Sequence, residues 1–221
     1  MATSSGTYVQ FGAGNSAPEG WLNFDVSPTL RVQRLPVVGK ALARLSGNAG
    51  SFPDGVIYGD IVAGLPLPPG SVDALFASHV LEHLAFEEMR RALVNSFAVL
   101  KPGGIFRLIV PNLLPIAEAY VERARGGTTQ AAPDFIRATM MGQEVRPATV
   151  FGKIRAQLGN SLHLWMWDHP SMEAELKSVG FVDIRPAQFG DSGDDMFARV
   201  EEYDRFVNNG TPEVAIQARK P

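Results

Sequence analysis

The chain has 221 residues, which favours one compact domain, and its 45% hydrophobic content suffices for an ordinary core. Charged residues make up 19%, the net charge is -3 and cysteine is absent, which excludes a disordered chain, disulfides and thiolate chemistry. Without a run of basic residues before the last few positions, the composition argues against a nucleic-acid partner. The N-terminus lacks a signal-peptide pattern, and the most apolar run, Ile105 to Val110, is too short to span a bilayer. We therefore expect a cytoplasmic protein with no membrane segment.

The first half of the chain alternates between predicted strands and helices or loops. Strands are predicted at 7–11, 21–25, 56–60, 73–78 and 105–110. Apolar residues at helical spacing predict a helix from Phe86 to Leu100, and weaker helical character is expected at Lys40 to Leu45. This alternation predicts a parallel sheet with right-handed crossovers.

The second half departs from this rhythm. Its predicted elements are helices at Leu113 to Arg125, at Pro133 to Met141 and, capped by Ser171, at Met172 to Val179, then strands at 181–184 and 213–218. The tract 112–170 is long for a connection between neighbouring strands. We therefore predict a single domain, residues 1–221, in which 112–170 forms a helical insertion that serves as a lid over the acceptor.

Turns that suit a ligand follow three successive predicted strands. Gly12-Ala13-Gly14 would let a ligand approach the backbone, and Asp25 and Asp60 could accept hydrogen bonds from ribose hydroxyls or an adenine amino group. Each feature also fits a simpler interpretation, a tight turn or an aspartate that caps its own loop. With Ala17, the glycines even match the pattern of a nicotinamide-binding unit.

Taken in order, five segments resemble the class I S-adenosylmethionine-dependent methyltransferases, in the branch whose second strand reads Gly-Trp-Leu-Asn-hydrophobic-Asp. These segments are Gln10–Gly14, Gly20–Asp25, Gly59–Ile61, Asp73–Leu84 and Leu100–Gly104. The resemblance implies a Rossmann-like α/β fold: a seven-stranded, mostly parallel sheet in the order 3-2-1-4-5-7-6, with the last strand antiparallel and helices on both faces.

The resemblance also implies S-adenosylmethionine as cofactor and a site at the ends of the first four strands. The implied cofactor-binding residues are Phe11, Gly12, Ala13, Gly14, Asp25, Asp60, Ile61, Ser78 and His79. Asp25 would hold the ribose, Asp60 the adenine amino group, and Ile61 the adenine edge through its backbone. Asp25 follows Gly14 by only 11 residues, which is short for a dinucleotide-binding unit and favours the methyltransferase interpretation.

Histidines and tryptophans supply the candidates on the acceptor side. A hydroxyl acceptor needs a base near neutral pH, so His79 and then His163 are predicted as catalytic residues. Trp165 and Trp167 are predicted to bind substrate in an apolar pocket, and the alternative for this aromatic cluster is a flap that covers the core.

The run from His79 to His83 also fits the inverted zinc-peptidase motif H-x-x-E-H. We expect no metal, because the motif lies at a strand-to-helix junction and no third ligand is marked. Glu82 and His83 are then polar groups at a helix start.

The sequence thus predicts methyl transfer by in-line displacement to a hydroxyl or amine of a small molecule or glycan. The alternatives are a nicotinamide-dependent oxidoreductase and a non-catalytic methyltransferase-like binding subunit. The oligomeric state and the atom that receives the methyl group stay open.

Overall fold

A computed structural model describes residues 6–34, 52–145 and 162–221. One seven-stranded sheet organises these residues, with strands β1 (Tyr8–Phe11), β2 (Trp21–Asp25), β3 (Val56–Tyr58), β4 (Val72–Ser78), β5 (Leu100–Val110), β6 (Val182–Pro186) and β9 (Val214–Arg219). The order is β3-β2-β1-β4-β5-β9-β6, and β9 runs antiparallel to both of its neighbours. Because β9 is the seventh strand of this sheet along the chain, the predicted order 3-2-1-4-5-7-6 is confirmed.

Helices and one short hairpin complete the described residues. The helices are α1 (Pro28–Gln33), α2 (Phe86–Val99), α3 (Leu113–Arg125), α4 (Ala131–Ala138), α5 (His169–Val179) and α6 (Tyr203–Phe206), with 3-10 turns at Leu81–His83 and Asp195–Arg199. Strands β7 (Val207–Asn208) and β8 (Thr211–Pro212) form the hairpin. The predicted helical character at Lys40 to Leu45 lies outside the described residues. Of the helices described here, none has the length and apolar character needed to cross a bilayer.

Several predicted boundaries were wrong. Helix α4 spans Ala131–Ala138 instead of Pro133–Met141, and β3 ends at Tyr58 instead of residue 60. Two further differences have a local reason. Helix α5 begins at His169, because Asp168 rather than Ser171 is its N-cap and accepts a hydrogen bond from the Ser171 amide at 2.9 Å. Strand β5 begins at Leu100 and includes residues 101–104, which lie before its predicted start at residue 105. That segment is drawn into the sheet by the C-terminus, since the Gly103 amide donates to the Lys220 carbonyl at 2.8 Å.

The two faces of the sheet are covered differently. One face packs against α2 and α5 through Met89, Leu93, Met172 and Leu176, all of which are fully buried. The other face packs Trp21 and Phe76 against Phe197 from a 3-10 turn and Phe206 from α6. Both cores leave the carboxyl ends of the parallel strands free to carry loops, which is where open α/β sheets bind ligands.

An ion-pair network lies on the second face. Arg107 of β5 is 1% exposed, and its guanidinium lies 2.6 Å from Glu201 Oε1 and 2.9 Å from Asp191 Oδ1. It also donates to Gln217 Oε1 of β9 at 2.7 Å. The network therefore fixes the polar segment 187–201 to the middle of the sheet.

Helices α3 and α4 form a hairpin that stands apart from this core. Tyr120 and Phe135 meet with ring centroids 5.2 Å apart, and Arg123 pairs with Asp134 at 2.6 Å. Helix α3 contains no buried residue, so its apolar side chains are not part of the sheet core. Its role as a lid stays a prediction.

Candidate active site

The loop after β1 contains two glycines in left-handed backbone conformations, but their surroundings differ. A side chain at Gly12 (φ 66°) would place its Cβ 2.1 Å from Cγ2 of Val80, so this glycine is required by packing. A Cβ at Gly14 (φ 54°) would have no described atom within 4 Å. The backbone at Gly14 thus borders open space at the carboxyl edge of the sheet.

Asp25 ends β2, as predicted, whereas Asp60 lies two residues beyond the end of β3, and both make turn-stabilising hydrogen bonds. Asp25 accepts from the amides of Gly14 at 2.9 Å and Ser27 at 2.8 Å, and Asp60 accepts from the amide of Val62 at 2.8 Å. The loop-capping role that the sequence left open is therefore present. Each carboxylate oxygen has a second lone pair, so these bonds leave capacity for a ligand.

Three of the implied cofactor residues are core residues. Phe11 is 2% exposed, and Ala13 and Ile61 are each 5% exposed. Their side chains pack in the interior, so only their backbones are available at the sheet edge. Ser78 ends β4 directly before His79, and its hydroxyl is buried with no hydrogen-bond partner among the residues described.

His79 follows β4 in a left-handed conformation (φ 54°), which is uncommon for a residue other than glycine. Its Nδ1 lies 3.4 Å from Glu82 Oε1, and its Nε2 lies 3.3 Å from the carbonyl oxygen of Arg205. Burial alone would lower the pKa of His79, but the nearby Glu82 carboxylate and the Arg205 carbonyl raise it above its ordinary value. The ring is thus oriented and polarised by two acceptors.

His163 lies in the segment 162–167, which returns to the turn at Leu81–His83. Its backbone amide donates to Met140 at 3.1 Å, and its ring meets the His83 ring with centroids 5.1 Å apart. Burial lowers the pKa of His163, which favours the neutral imidazole. The structure thereby brings both predicted histidines to one region.

A cavity of about 450 Å³ lies between the insertion and the carboxyl edge of the sheet. His79 and His163 both line it, so the two predicted catalytic residues border the same cavity. The other polar or aromatic lining residues are Asn112, Tyr120, Arg123, Asp134, Phe135, Asn208, Asn209, Thr211 and Glu213. A volume of this size is ordinary for a small-molecule site.

The two tryptophans predicted to bind substrate are not among the residues that line this cavity. Trp167 is 2% exposed and stacks on Phe86 at 5.9 Å, so it is a core residue of the first face. Trp165 packs on the outer side of the same phenylalanine at 4.9 Å. Their positions agree with the alternative interpretation, a flap that covers the core, because both indoles pack on the apolar ring of Phe86 at the start of α2.

Sequence reasoning missed two acidic residues of this region. Glu82 was expected to be a helix-start polar group, yet its side chain is fully buried in a 3-10 turn that precedes α2. Glu213 lines the cavity and accepts from the Asn112 amide at 2.8 Å, and its pKa is raised by burial. The H-x-x-E-H motif was a signal for Glu82, whereas no pattern singled out Glu213.

Comparisons with known proteins agree with this architecture. Residues 10–108 match the family model described as a methyltransferase domain, while no curated protein matches the chain. One similar solved structure is the complex between the Haloferax volcanii Trm112 methyltransferase activator and a methyltransferase. The matching chain is 16% identical in sequence, and the alignment covers 100% of this chain and 84% of that chain with a TM-score of 0.50. A SAM-dependent methyltransferase from Thermotoga maritima is 15% identical, with 99% and 84% covered and a TM-score of 0.49.

At 16% identity and a TM-score of 0.50, the first of these structures is similar to this chain in fold alone. The methyltransferase domain covers β1 to β5, which includes both glycines, both aspartates and His79. The match of residues 10–108 to a methyltransferase domain and the strand order of the sheet together support S-adenosylmethionine-dependent methyl transfer as the activity of this chain.

Proposed function

We propose that the enzyme methylates a hydroxyl or amine of a small molecule or glycan that binds in the cavity between the helical insertion and the sheet. The observation that carries this proposal is the position of the cavity. It is lined by His79 after β4, by Asn112 after β5 and by residues of α3 and α4. An acceptor there would lie beside the strand ends that carry the cofactor loops.

On the cofactor side, we propose that the loop at Gly12 and Gly14 passes the methionine portion, with Asp25 on the ribose and Asp60 on the adenine. Their places at the carboxyl ends of β1, β2 and β3 support this assignment. Phe11, Ala13 and Ile61 would contribute backbone groups, since their side chains are buried. Ser78 and His79 would lie at the methionine end, next to the acceptor.

Methyl transfer from a sulfonium needs alignment of the acceptor atom, the methyl carbon and the sulfur, together with exclusion of water. A hydroxyl acceptor also needs a group that takes its proton. We assign this task to His79, because it lines the cavity and the Glu82 carboxylate orients its ring at 3.4 Å. To accept a proton, Nε2 must leave its 3.3 Å contact with the Arg205 carbonyl. The Nδ1 of His163 is buried, which screens that atom from an acceptor.

The acceptor-side proposal is tested by filling the cavity from α3. Ala119→Trp places an indole in the cavity, while Val121→Trp on the same helix adds one outside it. With an acceptor found by screening hydroxyl and amine compounds against methyl-labelled donor, we expect Ala119→Trp to raise the acceptor KM at least about tenfold, or 1.4 kcal/mol. Calorimetry should show unchanged S-adenosylmethionine affinity in both variants. Equal turnover by the two variants would contradict the proposed acceptor site.

A further inference from the structure

Three of the four histidines of the chain gather around one buried carboxylate. Glu82 Oε1 lies 3.4 Å from Nδ1 of His79 and 3.8 Å from Nε2 of His83. One ligand atom each of Glu82, His83 and His163 lies within 4.8 Å of the other two. The zinc-peptidase interpretation paired His79 with His83 on a helix, but here the turn is 3-10 and the third donor comes from a distant segment.

The carboxylate at the centre of this cluster is not satisfied by the described protein groups. The Glu82 side chain is 0% exposed, and within residues 6–34, 52–145 and 162–221 neither of its oxygens has a hydrogen-bond partner. His163 is 7% exposed, and its Nδ1 likewise lacks a described partner. An ionised carboxylate in such a place is costly unless a proton or a cation compensates its charge.

The hydrogen bonds of the imidazoles indicate which ring nitrogens have a lone pair to offer. His83 Nδ1 lies 3.0 Å from the Leu162 carbonyl, which only accepts, so Nδ1 carries the hydrogen. The free lone pair of His83 is then on Nε2, the atom that faces Glu82. A ring whose other N–H is held by a backbone carbonyl is the usual state of a metal-ligating histidine. A lone pair beside a carboxylate oxygen also repels it unless a cation lies between them.

The segment that supplies His163 is fixed to this turn. The Glu82 carbonyl accepts the amides of Leu164 at 2.7 Å and Trp165 at 3.1 Å. The backbone therefore holds the donor groups close together before any ion binds, which lowers the entropic cost of forming a site.

We propose that Glu82, His83 and His163 bind one divalent transition-metal ion, with zinc as the best match. Imidazole and carboxylate donors suit zinc better than calcium or magnesium, and three protein ligands are the usual number in catalytic zinc sites. Zinc–ligand bonds of about 2.0–2.2 Å imply tetrahedral edges of roughly 3.3 Å, and the Glu82–His83 separation of 3.8 Å is close to that value. This proposal replaces the sequence-based expectation of no metal.

The ion would lie against the acceptor-side cavity, because His163 lines that cavity and His79 contacts the same carboxylate. The site thus joins a metal to the wall where the acceptor is proposed to bind. None of its three ligands is among the residues assigned to the cofactor, so metal binding is measurable without a donor or an acceptor.

The test uses the full chain without an affinity tag, stripped with a chelator and titrated with Zn²⁺ by calorimetry. We expect one zinc per chain, and a loss of affinity of at least about a hundredfold in Glu82→Gln and in His163→Ala, because both remove a direct ligand. His169→Ala, which removes the one histidine outside the cluster, should bind like the parent. Loading with Co²⁺ should give visible absorption bands in the parent and in His169→Ala but not in the two ligand variants.

Circular dichroism and S-adenosylmethionine binding report whether each variant is folded, and Glu82→Gln keeps the shape of the side chain. The proposal is wrong if the parent binds no zinc, or if Glu82→Gln and His163→Ala keep its affinity. Neither outcome would bear on methyl transfer, since no acceptor or turnover enters the measurement.

Discussion

Two buried glutamates, on different sides of the sheet, differ in the groups that compensate their negative charge. Glu201 is 1% exposed, lies 2.6 Å from the Arg107 guanidinium, and accepts the Gly190 amide at 3.0 Å. Glu82 is 0% exposed, and the described basic side chains within 4 Å of it are the imidazoles of His79 at 3.4 Å and His83 at 3.8 Å. The first carboxylate is compensated by the fold itself, whereas the second depends on protons or a bound ion.

This difference separates a structural charge from a functional one. A buried charge with a matched partner holds two segments in place, and removing either member leaves the other uncompensated. A buried polar group without partners needs a further explanation, because the described fold gives it no stabilising contact. The cavity described above is lined by His79, which contacts Glu82, and not by Arg107 or Glu201, in agreement with this division.

The largest expected effect comes from breaking the structural pair. Arg107→Met should lower the free energy of unfolding by about 3–5 kcal/mol, because it leaves Glu201 buried without its cation. In metal-free protein, Glu82→Gln should change the free energy of unfolding by less than about 1 kcal/mol, since no arginine or lysine partner is lost. Denaturant unfolding of both variants measures the contrast, and equal losses would remove the distinction drawn between the two carboxylates.

Asp25 is expected to have both a structural and a functional role, because it accepts hydrogen bonds within its loop and is proposed to bind the ribose. Asp25→Ala should weaken S-adenosylmethionine binding by about 1.5–3 kcal/mol through loss of charge-assisted hydrogen bonds to the ribose. It should also lower stability by about 1 kcal/mol, since the amides of Gly14 and Ser27 lose their acceptor. Calorimetry and thermal unfolding separate the two effects, with the exposed Asp204→Ala as control. Normal cofactor binding would reduce Asp25 to a turn residue.

The smallest effect is the pH dependence of the structural network. Burial would raise the pKa of Asp191, but hydrogen bonds from Arg185 and Arg107 lower it more, so the pKa lies below its ordinary value of 3.8. A lowered pKa means that the stabilisation is present above about 3.8 and is lost as the pH falls through the folded-state pKa. The stability difference between the parent and Asp191→Asn should therefore be constant near neutrality and shrink in acid. A difference that grows with acidity would show that Asp191 is not ionised in the network.

The sequence predicted the sheet well because its signals are local. The first three parallel strands are each followed by a glycine loop or end at or near an aspartate, and the order of those motifs implies the order of strands through the family resemblance. The start of α5 was misplaced, because Asp168 and Ser171 are both good N-caps and the sequence does not rank them. The N-terminal extension of β5 depends on pairing with Lys220, which local patterns do not reveal.

The acceptor side was harder to predict, because its contacts join distant segments. The aromatic cluster of Trp165 and Trp167 fits a pocket or a flap equally well in sequence, and only the position of Phe86 decides between them. Glu82 lies in a recognisable motif, but its burial depends on residues 162–167 that fold back over it. The spacing within H-x-x-E-H contains no information about His163.

Helix α3 buries no side chain, although it forms much of the cavity wall. The α3 residues proposed to face the acceptor are therefore not part of the buried sheet core. If the proposed acceptor site is correct, we expect substitutions along this helix to change the preferred acceptor at little cost in folding stability. A chain built in this way can acquire a new methylation target by altering one hairpin.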